Sequence, residues 1–198
     1  MSKPKIRSTP DTTVRSRRAY FDCRYGQLHV RTAFPATGGF DEQVTLLCLH
    51  PEGASSRAFS DFLPLAALQR SVYAPDLPGC GESDPAAAGG EFATVAAAAV
   101  ADLVADLRLR RIDVIGLHSG AAVAVELALL RPALVRALVL AGAAPPQRLA
   151  LLGQQTASPQ VHRIDPAGIP ATPPGRSASE LLARMDQALG APGARPAA

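Results

Sequence analysis

The chain has 198 residues, of which 47% are hydrophobic and 19% charged, a composition that supports one globular domain and excludes a disordered chain. Its three cysteines lack the even number of a disulfide framework and the spacing of a zinc site, so a reducing cytoplasm is the expected compartment. Charged side chains interrupt the long apolar stretches, which excludes a membrane span and predicts a soluble protein.

The positive charge is concentrated at the start of the chain. The net charge is +3, and residues 1–18 hold six Lys or Arg against one Asp, so the remainder is slightly acidic. A nucleic-acid-binding domain would carry its positive charge on a folded face, and we therefore expect neither nucleic acid nor membrane as a partner. No apolar stretch follows that could form the core of a secretory signal, so residues 1–18 are predicted to be a disordered basic leader.

The predicted elements alternate between strands and helices. Residues 19–33 alternate apolar and polar side chains around a break at 25–27, which predicts an antiparallel hairpin. Strands are then predicted at 44–49, 71–74, 112–116 and 135–141, and helices at 55–69, 93–109 and 121–130. This order predicts an α/β fold with a mostly parallel sheet and helices on both faces.

The regular alternation weakens beyond residue 142. A strand candidate at 161–164 lies among Pro- and Gly-rich segments, and a helix at 177–189 is predicted to be capped by Ser177 with Glu180 three residues on. We therefore expect a single domain over 19–189, with a complete core at 19–144, a degenerate part at 145–189 and a disordered tail at 190–198. The open edge of the 135–141 strand is expected to be covered by 161–164 or by a second subunit, as in a homodimer.

Three loops at the carboxyl ends of the predicted strands carry motifs. They are His-Pro-Glu-Gly at 50–53, Asp-Leu-Pro-Gly-Cys-Gly-Glu-Ser-Asp at 76–84, and Val-Ile-Gly-Leu-His-Ser-Gly at 114–120. In this order and with these separations, residues 20–144 resemble the α/β-hydrolase fold family. The resemblance implies a member without the helical cap and the last strand, because the segment between 144 and 159 is too short for the cap.

The family places its nucleophile on a strained turn between a strand and a helix, with small residues two positions before and after it. Gly116 and Gly120 fill those small positions, so the resemblance places His118 at the turn, giving a G-x-H-x-G elbow in place of G-x-S-x-G. The alternative is that Ser119 is the nucleophile, shifted by one residue. That shift would place Leu117 and Ala121 where the bend needs its smallest side chains, which favours His118.

The resemblance also implies an oxyanion hole and a pocket. The backbone N–H groups of Ser119 and Glu52 would be the oxyanion donors, and His50 and His118 would face a shallow, wet pocket. A neutral imidazole at the elbow can act as a base, a hydrogen-bond donor or a nucleophile, or it can simply fill the turn. A metal site on the two histidines lacks a third ligand, so we expect no metal and no cofactor.

The remaining members of the catalytic triad have no counterpart. After His118 the only histidine is His162, and no Asp or Glu precedes it after residue 141, so the order nucleophile, acid, histidine cannot be formed. Two alignments of the last segment place Ile169 either at the acid's position, which we favour, or at the histidine's position. The sequence therefore supports two hypotheses: a hydrolase with an incomplete triad acting on a small ester or related carbonyl compound, or a non-catalytic protein that binds a ligand or partner.

Overall fold

The structure is a computed structural model that describes residues 14–36, 44–86, 89–167, 169–171, 173 and 175–190. Its strands are β1 (Arg17–Cys23), β2 (Gly26–Ala33), β3 (Thr45–Leu49), β4 (Val72–Pro75), β5 (Ile112–Leu117), β6 (Val135–Ala141) and β7 (Gln160–Arg163). Its helices are α1 (Phe62–Ala66), α2 (Phe92–Asp106), α3 (Gly120–Leu130), α4 (Pro146–Gly153) and α5 (Gly175–Leu189), with a 3₁₀ turn at Ser56–Phe59. No helix within these ranges has the length and apolar character needed to cross a membrane.

The seven strands form one sheet in the order β1-β2-β4-β3-β5-β6-β7. β2 pairs antiparallel with β1 and with β4, and the pairs β3–β4, β3–β5, β5–β6 and β6–β7 are parallel. β3 and β5 are buried at nearly every position, as expected of strands covered on both faces. The predicted α/β fold with a mostly parallel sheet is confirmed.

Helices cover both faces of the sheet, and each face has its own core. Leu47 and Val114 point to the face that packs against α2 and α3. Cys48 and Ile115, their neighbours along the strands, point to the face that packs against α1 and α5. The alternation of side chains along β3 and β5 therefore divides the apolar residues between two layers of helix.

Several predicted boundaries differ from the structure. β1 begins at Arg17, so the last two residues of the predicted leader belong to the hairpin, while residues 1–13 and 191–198 lie outside the described residues. The helix predicted at 55–69 is divided into the 3₁₀ turn and α1, because Pro64 has no N–H and is tolerated only in a helix's first turn. The short helix α4, which follows Pro145, was not predicted.

The predicted capping role of Ser177 is wrong. α5 begins at Gly175, so Ser177 lies inside the first turn of the helix. The carboxylate of Asp61, at the start of α1, accepts a hydrogen bond from the Gly175 N–H at 2.8 Å. A side chain from a distant segment therefore satisfies one of the free N–H groups at this helix end.

β7 covers the open edge of β6. It pairs with β6 in parallel, with Val161 opposite Leu138 and Arg163 opposite Leu140. The prediction that the 161–164 segment forms this strand is confirmed, although the strand begins one residue earlier.

A buried ionic cluster joins the sheet to α5. Asp113, which is fully buried on β5, accepts two hydrogen bonds from Arg136 of β6, at 2.7 and 2.5 Å. Arg70, also buried, lies 3.6 Å from Asp113 and 3.4 Å from Asp186 of α5. Burial raises the pKa of Asp186, and Arg70 opposes that shift.

His50 joins the loops that follow β3 and β4. Its Nε2 accepts the Leu77 N–H at 2.9 Å, and its Nδ1 donates to the Pro51 carbonyl at 2.7 Å. These two bonds require the neutral ring protonated on Nδ1. Burial is the main cause that lowers the pKa of His50, since the side chain has no exposed surface.

Replacing Arg136 with Ala should lower the free energy of unfolding by about 3 kcal/mol, because the fully buried Asp113 carboxylate loses its bidentate guanidinium partner. Arg184→Ala is the matched control, since Arg184 pairs with Glu180 on the exposed surface of α5, and it should change stability by about 0.5 kcal/mol or less. Urea unfolding followed by circular dichroism measures both values. Equal effects of the two substitutions would contradict a central role of the cluster.

His50 should make the fold lose stability as the pH falls below about 6.5, the usual pKa of histidine. The unfolded chain takes up a proton there, whereas burial keeps the folded ring neutral, so protonation favours unfolding. His50→Gln keeps an oxygen that can accept the Leu77 N–H but does not titrate. Unfolding free energies at pH 7.5 and 5.5 should therefore differ less for the Gln variant than for the wild type, and an equal difference would rule out this role.

Candidate active site

The turn between β5 and α3 places His118 at its sharpest point. His118 has φ +48°, in the left-handed region that residues with a side chain rarely adopt, whereas Ser119 has φ −65° and ordinary helical geometry. The His118 N–H donates to the Ala141 carbonyl at 2.8 Å, which ties the turn to the end of β6. The strained residue of the elbow is therefore His118 and not Ser119.

Three glycines leave room for this turn. A Cβ on Gly116 would lie 2.5 Å from the Gly120 carbonyl oxygen, and a Cβ on Gly120 would lie 2.4 Å from the Leu49 carbonyl oxygen. A Cβ on Gly142, the first residue after β6, would lie 2.2 Å from the His118 carbonyl oxygen. All three clashes are with backbone atoms, which cannot rotate away. The sequence pattern pointed to Gly116 and Gly120, but Gly142 lies outside the elbow motif and was missed.

The His118 ring is held by a backbone carbonyl. Its Nε2 lies 3.1 Å from the carbonyl oxygen of Ile169, so Nε2 carries the proton and donates it. In the neutral ring this leaves the Nδ1 lone pair unshared, and Nδ1 has no hydrogen-bond partner among the described residues. Both alignments had placed Ile169 at a catalytic position, and the structure does bring it to His118, through its backbone. The Ile169 side chain is buried in the core beneath α5.

The Glu52 N–H is already hydrogen-bonded. It donates to the Ser119 hydroxyl oxygen at 2.8 Å, so the two residues expected to supply oxyanion donors contact each other. The Ser119 N–H has no acceptor within the described part of the chain. The Glu52 side chain is exposed. One of the two expected donors is therefore occupied by a protein hydroxyl.

A cavity of about 610 Å³ opens beside the elbow. Its size is within the range of small-molecule sites. Its lining combines the two elbow residues with small apolar groups: His118, Ser119, Ala122, residues 142–146 and Pro166. The expectation that His50 also faces this pocket is wrong, because His50 is fully buried and both of its ring nitrogens are hydrogen-bonded.

The acidic and imidazole groups that follow the elbow lie elsewhere. His162 and Asp165 line a different cavity, of about 530 Å³, together with Arg184 and Gln187 of α5. One Asp165 carboxylate oxygen accepts the Ala167 N–H at 2.9 Å. Within the described ranges, no three His, Cys, Asp or Glu side chains converge as metal ligands.

A buried Asp76–His29 pair shapes the loop after β4, and no sequence pattern pointed to His29 as the partner of Asp76. Asp76 Oδ2 lies 2.9 Å from His29 Nδ1, and both side chains are nearly inaccessible. The same carboxylate accepts the N–H groups of Ser56 and Glu82 at 2.5 and 2.9 Å. Burial alone would raise the pKa of Asp76, but these hydrogen bonds and His29 outweigh it and lower that pKa. The carboxylate therefore remains charged and fixes the loops flanking Glu52.

The structure resembles several solved proteins. It superposes on the epoxide hydrolase CorEH with 26% identity and a TM-score of 0.57, covering 70% of this chain and 49% of that one. It superposes on Cfl2 from Burkholderia cenocepacia with 28% identity and a TM-score of 0.59, covering 72% of this chain and 47% of that one. The N-acyl homoserine lactonase AidH, at 23% identity and a TM-score of 0.57, shares the fold over 65% of this chain and 46% of its own.

The chain thus spans about half the length of these solved proteins. Residues 44–191, which are more than half of the sequence, match the family described as alpha/beta hydrolase fold. This stretch contains β3 to β7, the elbow at His118 and the cavity beside it. The chain belongs to the alpha/beta hydrolase fold family.

Proposed function

We propose that this chain binds a small, largely apolar ester or related carbonyl compound in the elbow cavity and hydrolyses it slowly, with His118 as the base or nucleophile. The observation that carries the proposal is the position of His118. His118 lines the cavity from the strained turn, and the bond from Nε2 to the Ile169 carbonyl leaves the lone pair of Nδ1 free in the neutral ring. The lactonase and epoxide hydrolase among the similar structures favour small substrates opened by water.

In the proposed reaction Nδ1 removes a proton from a water that attacks the substrate carbonyl carbon, or Nδ1 attacks that carbon itself. The C=O π bond opens to an oxyanion, which then re-forms the carbonyl as the ester C–O bond breaks and the alcohol leaves with a proton from the ring or from water. After attack by Nδ1, a water hydrolyses the acyl-imidazole and restores the free ring.

Either first step gives the ring a positive charge, which strengthens the Nε2–H bond to the Ile169 carbonyl. A neutral carbonyl stabilises this charge less than a carboxylate would, because only the carboxylate adds the attraction between opposite charges. We therefore expect turnover well below that of a complete triad.

The N-terminal end of α3 supports the developing oxyanion. The Ser119 N–H lies at this end, where the helix dipole favours negative charge. The apolar lining at residues 143–146 suits an acyl chain and offers no charge to bind a polar substituent. Together these features favour short, uncharged acyl substrates.

A second function, ligand binding without turnover, is favoured by a specific observation. The Glu52 N–H is occupied by Ser119, and Ile169 supplies a carbonyl where the triad would supply an ionisable group. A protein with these contacts could hold a carbonyl compound or a carboxylate in the same cavity without hydrolysing it. The two functions differ in one measurable quantity, the rate of ester cleavage.

His118→Ala should lower kcat/KM for 4-nitrophenyl butyrate by about tenfold or more, because it removes the one basic side chain among the described residues that line the cavity. His162→Ala is the matched control, since His162 lines the other cavity, and its rate should equal that of the wild type. Release of nitrophenolate, corrected for spontaneous hydrolysis, gives the rates. Equal rates for the wild type and His118→Ala would eliminate His118 as the base or nucleophile and favour binding without turnover.

Gly142→Ala should displace the elbow, because the added Cβ would collide with the His118 backbone. We expect a loss of stability of about 1–3 kcal/mol and a lower rate of ester hydrolysis. Gly153→Ala, at the end of α4, is the control, since its Cβ would meet nothing within 4 Å. Thermal unfolding and the same ester assay test both variants, and wild-type behaviour of Gly142→Ala would show that the turn does not depend on this contact.

A further inference from the structure

The Ser119 hydroxyl makes an unusual contact for its position. Ser119 is the N-cap of α3, and a serine there ordinarily accepts an N–H from the first turn of its own helix. Its side chain makes no such bond. The hydroxyl oxygen instead accepts the N–H of Glu52, a residue 67 positions away in the loop after β3.

The geometry of this contact matches that of a bound substrate oxygen. The Ser119 oxygen lies 2.8 Å from the Glu52 nitrogen. Oxyanion-hole donors hold the reacting oxygen at about the same distance, roughly 2.7–3.1 Å. A substrate carbonyl cannot use the Glu52 N–H while the serine oxygen occupies that position.

We infer that Ser119 is a plug: its hydroxyl oxygen fills the place of the substrate oxygen at the Glu52 N–H and must rotate away before a carbonyl compound can bind there. This inference rests on the proposed function of the same cavity. Ser119 then acts as a positioning residue whose side chain holds the Glu52 N–H until a substrate oxygen replaces it. Removal of the hydroxyl should free the donor.

A nucleophilic role for Ser119 has the opposite consequence. A serine hydroxyl is a weak nucleophile without an adjacent base, and the described residues contain no hydrogen bond between Ser119 and an imidazole. His118, its neighbour, directs Nε2 to the Ile169 carbonyl. A nucleophile would lose its activity on substitution with Ala, whereas a plug would gain activity.

The test compares the wild type with Ser119→Ala and Ser119→Thr. Ser119→Ala should raise kcat/KM for 4-nitrophenyl butyrate roughly three- to tenfold, a factor that corresponds to the net free energy of one neutral hydrogen bond. Ser119→Thr keeps a hydroxyl that can accept the Glu52 N–H and should not show this gain. Ser179→Ala, which removes an exposed hydroxyl of α5, should leave the rate unchanged. Where the wild type cleaves the ester, a lower or unchanged rate for Ser119→Ala overturns the plug.

A binding measurement tests the plug independently of whether the protein hydrolyses esters. Sodium butyrate titrated into each protein by calorimetry should bind Ser119→Ala three- to tenfold more tightly than the wild type. If no form cleaves the ester, the proposed hydrolysis fails while tighter butyrate binding still supports the plug. Butyrate binding no tighter than that of the wild type, including no binding by either, overturns it.

Discussion

The backbone of His118 adopts a conformation that the surrounding glycines make possible. A residue with a side chain costs about 1–2 kcal/mol in the left-handed region, and only packing on every side can hold it there. The end of β6 supplies this packing, since the Ala141 carbonyl accepts the His118 N–H and Gly142 lies against the His118 backbone. The orientation of the imidazole, the start of α3 and one wall of the cavity all depend on that turn.

The polar groups of the site are paired with neutral partners. His118 is held by a carbonyl oxygen and Glu52 by a hydroxyl oxygen, and neither contact includes an ionised side chain. Ionised side chains lie elsewhere: Asp113 of β5 pairs with Arg136 of β6, and Asp76 accepts backbone N–H groups beside the loop after β4. Charge in this molecule therefore fixes the framework, while the cavity offers weaker and more easily exchanged hydrogen bonds.

Side-chain periodicity predicted the parts of the fold that depend on residue type. The buried strands β3, β5 and β6 follow from their apolar runs, and the resemblance to the α/β-hydrolase family, through Gly116 and Gly120, indicated the elbow. The contact between His118 and Ile169 could not be predicted in this way, because any residue offers a carbonyl and only the path of the chain decides which one is near. The position of the His50 side chain could not be predicted from its residue type either, since a histidine after a buried strand can face a pocket or hydrogen-bond to the backbone.

Ile169 links the elbow to the helix that lies farthest from it in sequence. Its carbonyl orients the His118 ring, and its side chain is buried in the same core as Leu181 and Met185 of α5. Polar contacts hold α5 in place, among them the ion pair of Arg70 with Asp186 and the hydrogen bond from the Gly175 N–H to Asp61. Because one residue takes part in both arrangements, the packing of α5 sets the position of the carbonyl. The orientation of the imidazole therefore depends on a helix that contributes no side chain to the described lining of the cavity.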